Sequence, residues 1–204
     1  MFIKRTFDIF CSLLALVLLS PLLLVTALLV KVQSEGPALF RQQRVGRYGH
    51  HFTIYKFRTM VLKHEGSSVT VKGENRITTI GARLRKWKID ELPELWNILV
   101  GDMSFVGPRP DMPDYSERLT GEERNILTLR PGLTSPASLK YSREEELLAD
   151  VDDPQKYFDD VIWPDKTRMN LEYVRTRSFL RDIELIILTT QGLLKKPEKK
   201  EGRA

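Results

Sequence analysis

Two adjacent carboxylates, Asp90 and Glu91, stand in WKIDELPE (87–94), just ahead of Pro93 and the apolar run LWNILV. Proline suits the first turn of a helix, so the spacing predicts a helix running through Pro93 with Asp90 at its N-cap. As a cap, Asp90 satisfies orphan backbone N–H groups and does nothing more. Glu91 has no such use. Near a helix N-terminus the partial positive charge keeps carboxylates ionised and also attracts phosphate. An aspartate there can attack phosphorus if a divalent metal offsets the mutual repulsion, with Glu91 as metal ligand or base.

Cations surround this pair in the sequence. Lys56 and Arg58 alternate in YKFRTM, Arg83 and Arg85 lie just upstream, and Arg109 sits between Pro108 and Pro110 in VGPRPD. Arg130 opens a second Arg-Pro turn in LRPGLT. An arginine beside a carboxylate is often a plain ion pair, but guanidinium groups also grip phosphate bidentately, and a rigid Pro-Arg-Pro loop suits a pyrophosphate cradle. The substrate-binding candidates are Lys56, Arg58, Arg85, Arg109, Pro110 and Arg130. Neither GxxxxGK[ST] nor GxGxxG occurs, so no P-loop or Rossmann site is indicated. His50, His51 and His64 lack zinc-ligand spacing and read as surface residues. Cys11, the only cysteine, excludes a disulfide framework and suits a reducing, cytoplasmic setting.

Thirty-two Lys and Arg against 27 Asp and Glu leave a charge of +5 over 204 residues. That favours phosphates, nucleic acids or an anionic lipid surface without choosing among them. The segment FDIFCSLLALVLLSPLLLVTALLV (7–30) is apolar enough to embed in a bilayer, too long for a signal-peptide core, and interrupted by Ser20-Pro21. Two arrangements compete. Read alone, the segment favours a spanning helix with a proline kink. The alternative is two half-helices meeting at Ser20-Pro21 with both ends on one face, each too short to cross, and the basic residues at both ends suit it. Asp8 would then lie at the interface.

After this anchor, residues 41–60 read as two strand-like pieces around a Gly-rich turn, and residues 63–76 as a polar loop. Residues 78–88 read as a basic amphipathic helix, able to lie on anionic lipid or simply to face water. A helix stopped by Gly101 follows, then TGEERNILT with a capping box at Thr120 and Glu123. Further helices occupy the C-terminal third, with Pro164 as a break, and KKPEKKEGRA forms a solvated basic tail.

The broken apolar segment, KFRTM, RITTIGARLRKWKIDELPELWNILVGDMSFVGPRP and LRPGLT together resemble the bacterial sugar transferase family, the monotopic phosphoglycosyl transferases that initiate glycan assembly. DKTRMNLEYVRTRSFLRDIELIILTT is also similar. The resemblance implies a two-step transfer. Asp90 attacks the sugar-linked phosphate of a nucleoside-diphosphate sugar, and polyprenol phosphate then takes the phosphosugar. It implies Mg2+ at Asp90 and Glu91, phosphate or nucleotide contacts at Lys56, Arg58, Arg85 and Arg109, and a re-entrant anchor broken at Ser20 and Pro21. The implied partners are a nucleoside-diphosphate sugar, polyprenol phosphate and inner-membrane lipids, with a homodimer left open and no nucleic acid. PGLTSPASL (131–139) departs from the family's PGxTGxAQV, and Asn75 replaces the Asp-Pro often found before RIT, which bears on nucleotide and sugar choice rather than on the reaction. The expected fold is α+β and mainly helical. It comprises an anchor (1–33), a cytoplasmic catalytic domain with a small strand element and interfacial amphipathic helices (34–192), and a basic tail (193–204). A different class of function, a membrane-tethered protein binding anionic lipid or nucleic acid without catalysis, predicts salt-sensitive binding and gives the paired carboxylates no role.

Overall fold

The computed structural model describes residues 2–61 and 76–194. The polar segment 63–75, with His64 and Asn75, and the basic tail beyond 194 lie outside the described residues.

The first element, α1 (Phe2–Gln33), is one helix of 32 residues, about 48 Å long at 1.5 Å per residue. It runs unbroken through Ser20-Pro21, so the two expected half-helices form a single hydrogen-bonded element. The local reason is a substitution of donors. Pro21 has no N–H to offer the Val17 carbonyl four residues back, and Ser20 Oγ donates to that same carbonyl at 2.8 Å. One stripe of α1 faces the rest of the chain: Asp8, Ser12, Thr26 and Val30 are buried, with Ala15, Leu16, Leu19, Leu23 and Ala27 half-buried between them. That is the 3.6-residue period of a helix lying along a surface. The opposite face, including Phe10, Leu13, Val17, Leu18, Leu24 and Leu28, is exposed and apolar.

Strands β1 (Leu39–Val45) and β2 (His51–Phe57) form the expected antiparallel hairpin, in register from Leu39 with Phe57 to Val45 with His51. Tyr48 and Gly49 take positive φ in its turn. Helix α2 (Thr79–Lys86) is capped by Thr78, whose Oγ1 accepts from Gly81 N at 3.0 Å. A 3-10 turn (Ile89–Glu91) leads into α3 (Glu94–Val100), which Gly101 ends at φ 103°. Strands β3 (Ser104–Val106) and β4 (Gly132–Thr134) pair in parallel. Gly107 and Gly132 meet there backbone to backbone, where a Cβ on either would overlap the other segment. The two Arg-Pro turns are therefore packed on each other.

Between β3 and β4 lie α4 (Pro113–Glu117) and a 3-10 stretch (Gly121–Thr128), at whose start Glu123 accepts from Thr120 N at 3.0 Å, as the capping box predicts. The C-terminal third is α5 (Pro136–Lys140), α6 (Glu144–Ala149), α7 (Pro154–Tyr157), α8 (Trp163–Thr176) and α9 (Phe179–Leu194). Pro164 does not break the chain. A π-helical turn (Phe158–Ile162) joins α7 to α8, and the proline falls in the first turn of α8. Such a turn shifts the hydrogen-bond ladder where a proline supplies no donor. The fold is α+β and mainly helical.

The core lies between α1, the hairpin and α3: Ile54, Leu95, Ile98 and Met103 are buried against Ala15, Leu16 and Leu19. Further along α1, Val30 packs with Phe57 and Leu84. Asn97, fully buried, joins α3 to the hairpin. Its amide donates to Thr53 O at 2.8 Å and its Oδ1 accepts from Tyr55 N at 3.2 Å, so the side chain pairs with β2 as a strand would. Arg5 Nη1 and Nη2 donate to the Ile98 and Leu99 carbonyls at 2.6 and 2.8 Å, and Arg130 Nε to Gly101 O at 2.7 Å. Both cations cap the C-terminus of α3.

Asn97→Ala strands the Tyr55 N–H and the Thr53 carbonyl in the core, which costs about 2–3 kcal/mol. Thermal unfolding in detergent should show a drop of roughly 4–10 °C; an unchanged midpoint contradicts this account of how α3 is attached.

Candidate active site

The turn that bears Asp90 and Glu91 is forced by its neighbours. Lys88 adopts the left-handed conformation (φ 55°), unusual for a residue with a Cβ, and this reverses the chain between α2 and the 3-10 turn. Glu91 N then donates to Lys88 O at 3.2 Å and closes the turn. Asp90 is not the N-cap of α3: the helix begins at Glu94, Pro93 holds the cap position, and Asp90 makes no capping bond. Its side chain is free for another purpose.

Asp90 and Glu91 are both buried, at 6% and 8% exposure, but they are treated differently. Glu91 Oε1 receives Arg109 Nη2 at 2.5 Å and Lys56 Nζ at 3.2 Å. Burial alone would raise the Glu91 carboxyl, but Arg109, Lys56 and Lys88 outweigh it and hold the group well below the usual carboxylate range. Asp90 Oδ1 is buried with no hydrogen-bond partner among the described residues. Burial and then the charge of Glu91 push the Asp90 carboxyl up, against the pull of Lys56, Lys88 and Arg85. One carboxylate is neutralised in place and its neighbour is left without a bonded partner.

Glu94, the third carboxylate, is 1% exposed on the first turn of α3 and lies 3.1 Å from Lys56 Nζ. Burial and the Glu91 charge raise its carboxyl, with Lys56 opposing. Lys56 thus bridges Glu91 and Glu94 from the end of β2. Glu94 was legible as the carboxylate three residues after Glu91, one helical turn on, but its burial was not. Arg109 has its side chain about two-fifths exposed overall, with its Nη2 held by Glu91. The Glu91 charge also strengthens the hold of Arg109 on its proton.

The structure brings together Asp90, Glu91, Lys56 and Arg109. Arg85 stands at the edge, ion-paired with Glu145 of α6 and donating to Thr59 Oγ1 at 3.3 Å. Pro110 offers its carbonyl to Arg44 Nη1 at 3.3 Å, and burial with the nearby Arg109 pushes Arg44 down to about 10. Arg58 and Arg130 are elsewhere. Arg58 is 3% exposed and donates to the Ser34 carbonyl at 2.8 Å and to the Glu35 carbonyl, tying the end of α1 to β2. Arg130 caps α3 at the end opposite the carboxylates. The strand alternation placed Lys56 and Arg58 on one face, but could not foresee that the strand ends at Phe57 and turns Arg58 away.

Among the described residues no group of three or more His, Cys, Asp or Glu forms a metal cage. A hard divalent ion that keeps most of its waters needs only one or two carboxylates plus substrate oxygens, and the unpartnered Asp90 Oδ1 beside Glu91 fits that requirement.

Residues 1–196 match the family described as bacterial sugar transferase. The chain is similar to the UDP-N-acetylgalactosamine-undecaprenyl-phosphate N-acetylgalactosaminephosphotransferase of Aeromonas hydrophila, 36% identical over 95% of this chain and 44% of that one. It is 37% identical to the UDP-glucose:undecaprenyl-phosphate glucose-1-phosphate transferase of Caulobacter vibrioides, over 94% of this chain and 69% of that one. It is 36% identical to the undecaprenyl-phosphate galactose phosphotransferase of Salmonella typhimurium, over 96% of this chain and 41% of that one. The chain thus spans less than half the length of two of these relatives. A match through nearly all of its own residues nonetheless decides its kinship: the chain belongs to the bacterial sugar transferase family.

Proposed function

We propose that this chain transfers a sugar 1-phosphate from a nucleoside-diphosphate sugar, a UDP-sugar by the names of its relatives, to polyprenol (undecaprenyl) phosphate. The carrying observation is the buried, unpartnered Asp90 carboxylate beside a neutralised Glu91. In the first step an Asp90 oxygen bonds to the sugar-linked phosphorus, the anhydride bond breaks, and the nucleoside monophosphate leaves with that electron pair. In the second, an oxygen of polyprenol phosphate attacks the same phosphorus and the Asp90–phosphorus bond breaks, regenerating the carboxylate and yielding polyprenol diphosphate sugar.

Each neighbour has a part in this scheme. Arg109, locked by Glu91 yet partly open, orients a phosphate oxygen and offsets charge in the transition state. Lys56, held between Glu91 and Glu94, fixes the carboxylate that would otherwise repel the incoming diphosphate. Mg2+ held by Asp90 and Glu91 with substrate oxygens would supply further charge neutralisation on the phosphoryl group.

The acceptor is a lipid, so its phosphate must meet Asp90 at a membrane surface. The chain's single long apolar helix among the described residues packs along the folded domain from Lys4, bonded to Asp182, to Val30. A helix covered along one stripe over this length cannot stand across a bilayer without drawing the domain in after it. This supports the part of the re-entrant reading that puts both ends of α1 on one face, here without a break at Ser20-Pro21, and we take that face to be the cytoplasmic face of the inner membrane. The exposed Trp87 and Trp96 suit an interfacial depth.

Asp90→Asn should lower nucleoside monophosphate release, measured over a panel of UDP-sugars with polyprenol phosphate, by about a thousandfold or more. The same variant loses a buried, unpaired charge and should unfold at an equal or higher temperature; full turnover would overturn the proposal. Turnover needs the ionised Asp90, so it falls as pH drops through a midpoint above the ordinary 3.8. In Glu91→Gln the raising charge is gone and Lys56 and Arg109 are freed, so that midpoint moves to lower pH. Carboxyl 13C titration without divalent metal reads this directly, and an upward move in Glu91→Gln contradicts the electrostatic account.

A further inference from the structure

Away from the carboxylates, a cavity of about 270 Å3 opens where the start of α1 meets β3 and the α8–α9 junction. None of its walls comes from Asp90, Glu91, Lys56 or Arg109. Four cations line it, Lys4, Arg5, Arg130 and Arg177, against two carboxylates, Asp8 and Asp182. The carboxylates are already engaged. Asp182 accepts from Lys4 Nζ at 2.5 Å and from the Tyr173 hydroxyl, and Asp8 Oδ1 accepts from Phe105 N at 3.2 Å.

The remaining cations are less well balanced. Arg5 and Arg130 spend their bonds on neutral carbonyls of α3 and its cap, which hold them in place without cancelling their charge. Burial, then Arg5 and Arg47, lower Arg130 from its ordinary value, as expected where like charges crowd. Arg177, exposed between α8 and α9, has no hydrogen bond or ion pair among the described residues. Ile3, Val106, Leu129 and Phe179 give the cavity apolar wall, and Ser104, Ser178 and Tyr173 complete the lining. Next to it in the chain stand Phe2 and Leu180, exposed at 87% and 81%.

A pocket that is cationic within, partly apolar in its walls and bordered by exposed apolar side chains of α1 and α9 matches one kind of ligand. We propose that it binds the phosphate headgroup of an anionic phospholipid of the surrounding membrane, with the acyl chains leaving over Phe179 and Leu180. The lipid is a fixed neighbour, not the acceptor. Its headgroup lies against Arg177 and Arg130, and through Arg130 and Arg5 it braces the C-terminus of α3. The site goes beyond the proposed transfer reaction and does not depend on it.

The test uses the whole chain in mild detergent, with native mass spectrometry reading one-to-one adducts of added dioleoylphosphatidylglycerol, dioleoylphosphatidylcholine or inorganic phosphate. Phosphatidylglycerol should be retained about fivefold more strongly than phosphatidylcholine, and Arg177→Ala should remove most of that preference. Arg168→Ala, which removes an exposed arginine of α8 outside the cavity, should leave it unchanged. Equal retention of the two lipids, or an equal loss in both variants, overturns the proposal. Inorganic phosphate held with the same Arg177 dependence, without a phosphatidylglycerol preference, would assign the cavity to a soluble anion and likewise overturn it. The readout is lipid retention, so it stands whether or not the chain turns over a nucleotide sugar.

Discussion

Helix α3 is held at both ends by charge, and the rest of the molecule is arranged around that constraint. At its C-terminus, the Ile98, Leu99 and Gly101 carbonyls receive Arg5 and Arg130. At its N-terminus, Lys56 and Arg109 converge on Glu91 and Glu94. Asn97 fixes its middle to β2. Seven residues of helix would be marginal alone, since most helical stability comes from packing. Held in this way, α3 carries the buried Glu94, follows directly on the turn that bears Asp90 and Glu91, and links both physically to the apolar helix α1.

The same arrangement explains how a buried carboxylate can be left without a bonded partner. A buried charge without a partner is unfavourable, so a chain normally pairs it or neutralises it. Here Arg109 and Lys56 are both bonded to Glu91. Asp90 feels Lys56, Lys88 and Arg85 only at a distance. Strain is stored nearby in the left-handed Lys88, which a network of backbone bonds keeps in place. Glu91 is thus a device for keeping cations near Asp90 without letting them bond to it.

How legible all this was from sequence varied with the range of the interaction. Local chemistry could be read well: the hairpin around Gly46 and Gly49, the capping box at Thr120, the stop at Gly101 and the nearness of Lys56 and Arg109 to the Asp90-Glu91 pair. What failed depended on partners or backbone angles that the residue types do not declare. Arg58 looked like the companion of Lys56, but the carbonyls of Ser34 and Glu35 claim it. Arg130 looked like a companion of Arg109 at the carboxylates, yet Gly101 holds it at the opposite end of α3. Asp90 looked like a cap, but the left-handed Lys88 sets the turn apart from the helix. Ser20-Pro21 looked like a break because a proline removes a donor, and the rescue by the serine beside it is visible only once the Val17 carbonyl is in view. Asn97 and Glu94 carried no signal of burial, since a polar side chain inside a helix reads as solvated until its partners are known.

The central claim is that Asp90 forms a bond to phosphorus. The direct measurement is the intact mass of the chain after mixing with a competent UDP-sugar in the absence of polyprenol phosphate, followed by peptide mapping. The account predicts an added mass of one sugar phosphate on the peptide that contains Asp90, discharged when polyprenol phosphate is supplied. Turnover with no such adduct at any time, or an adduct on another residue, would contradict it.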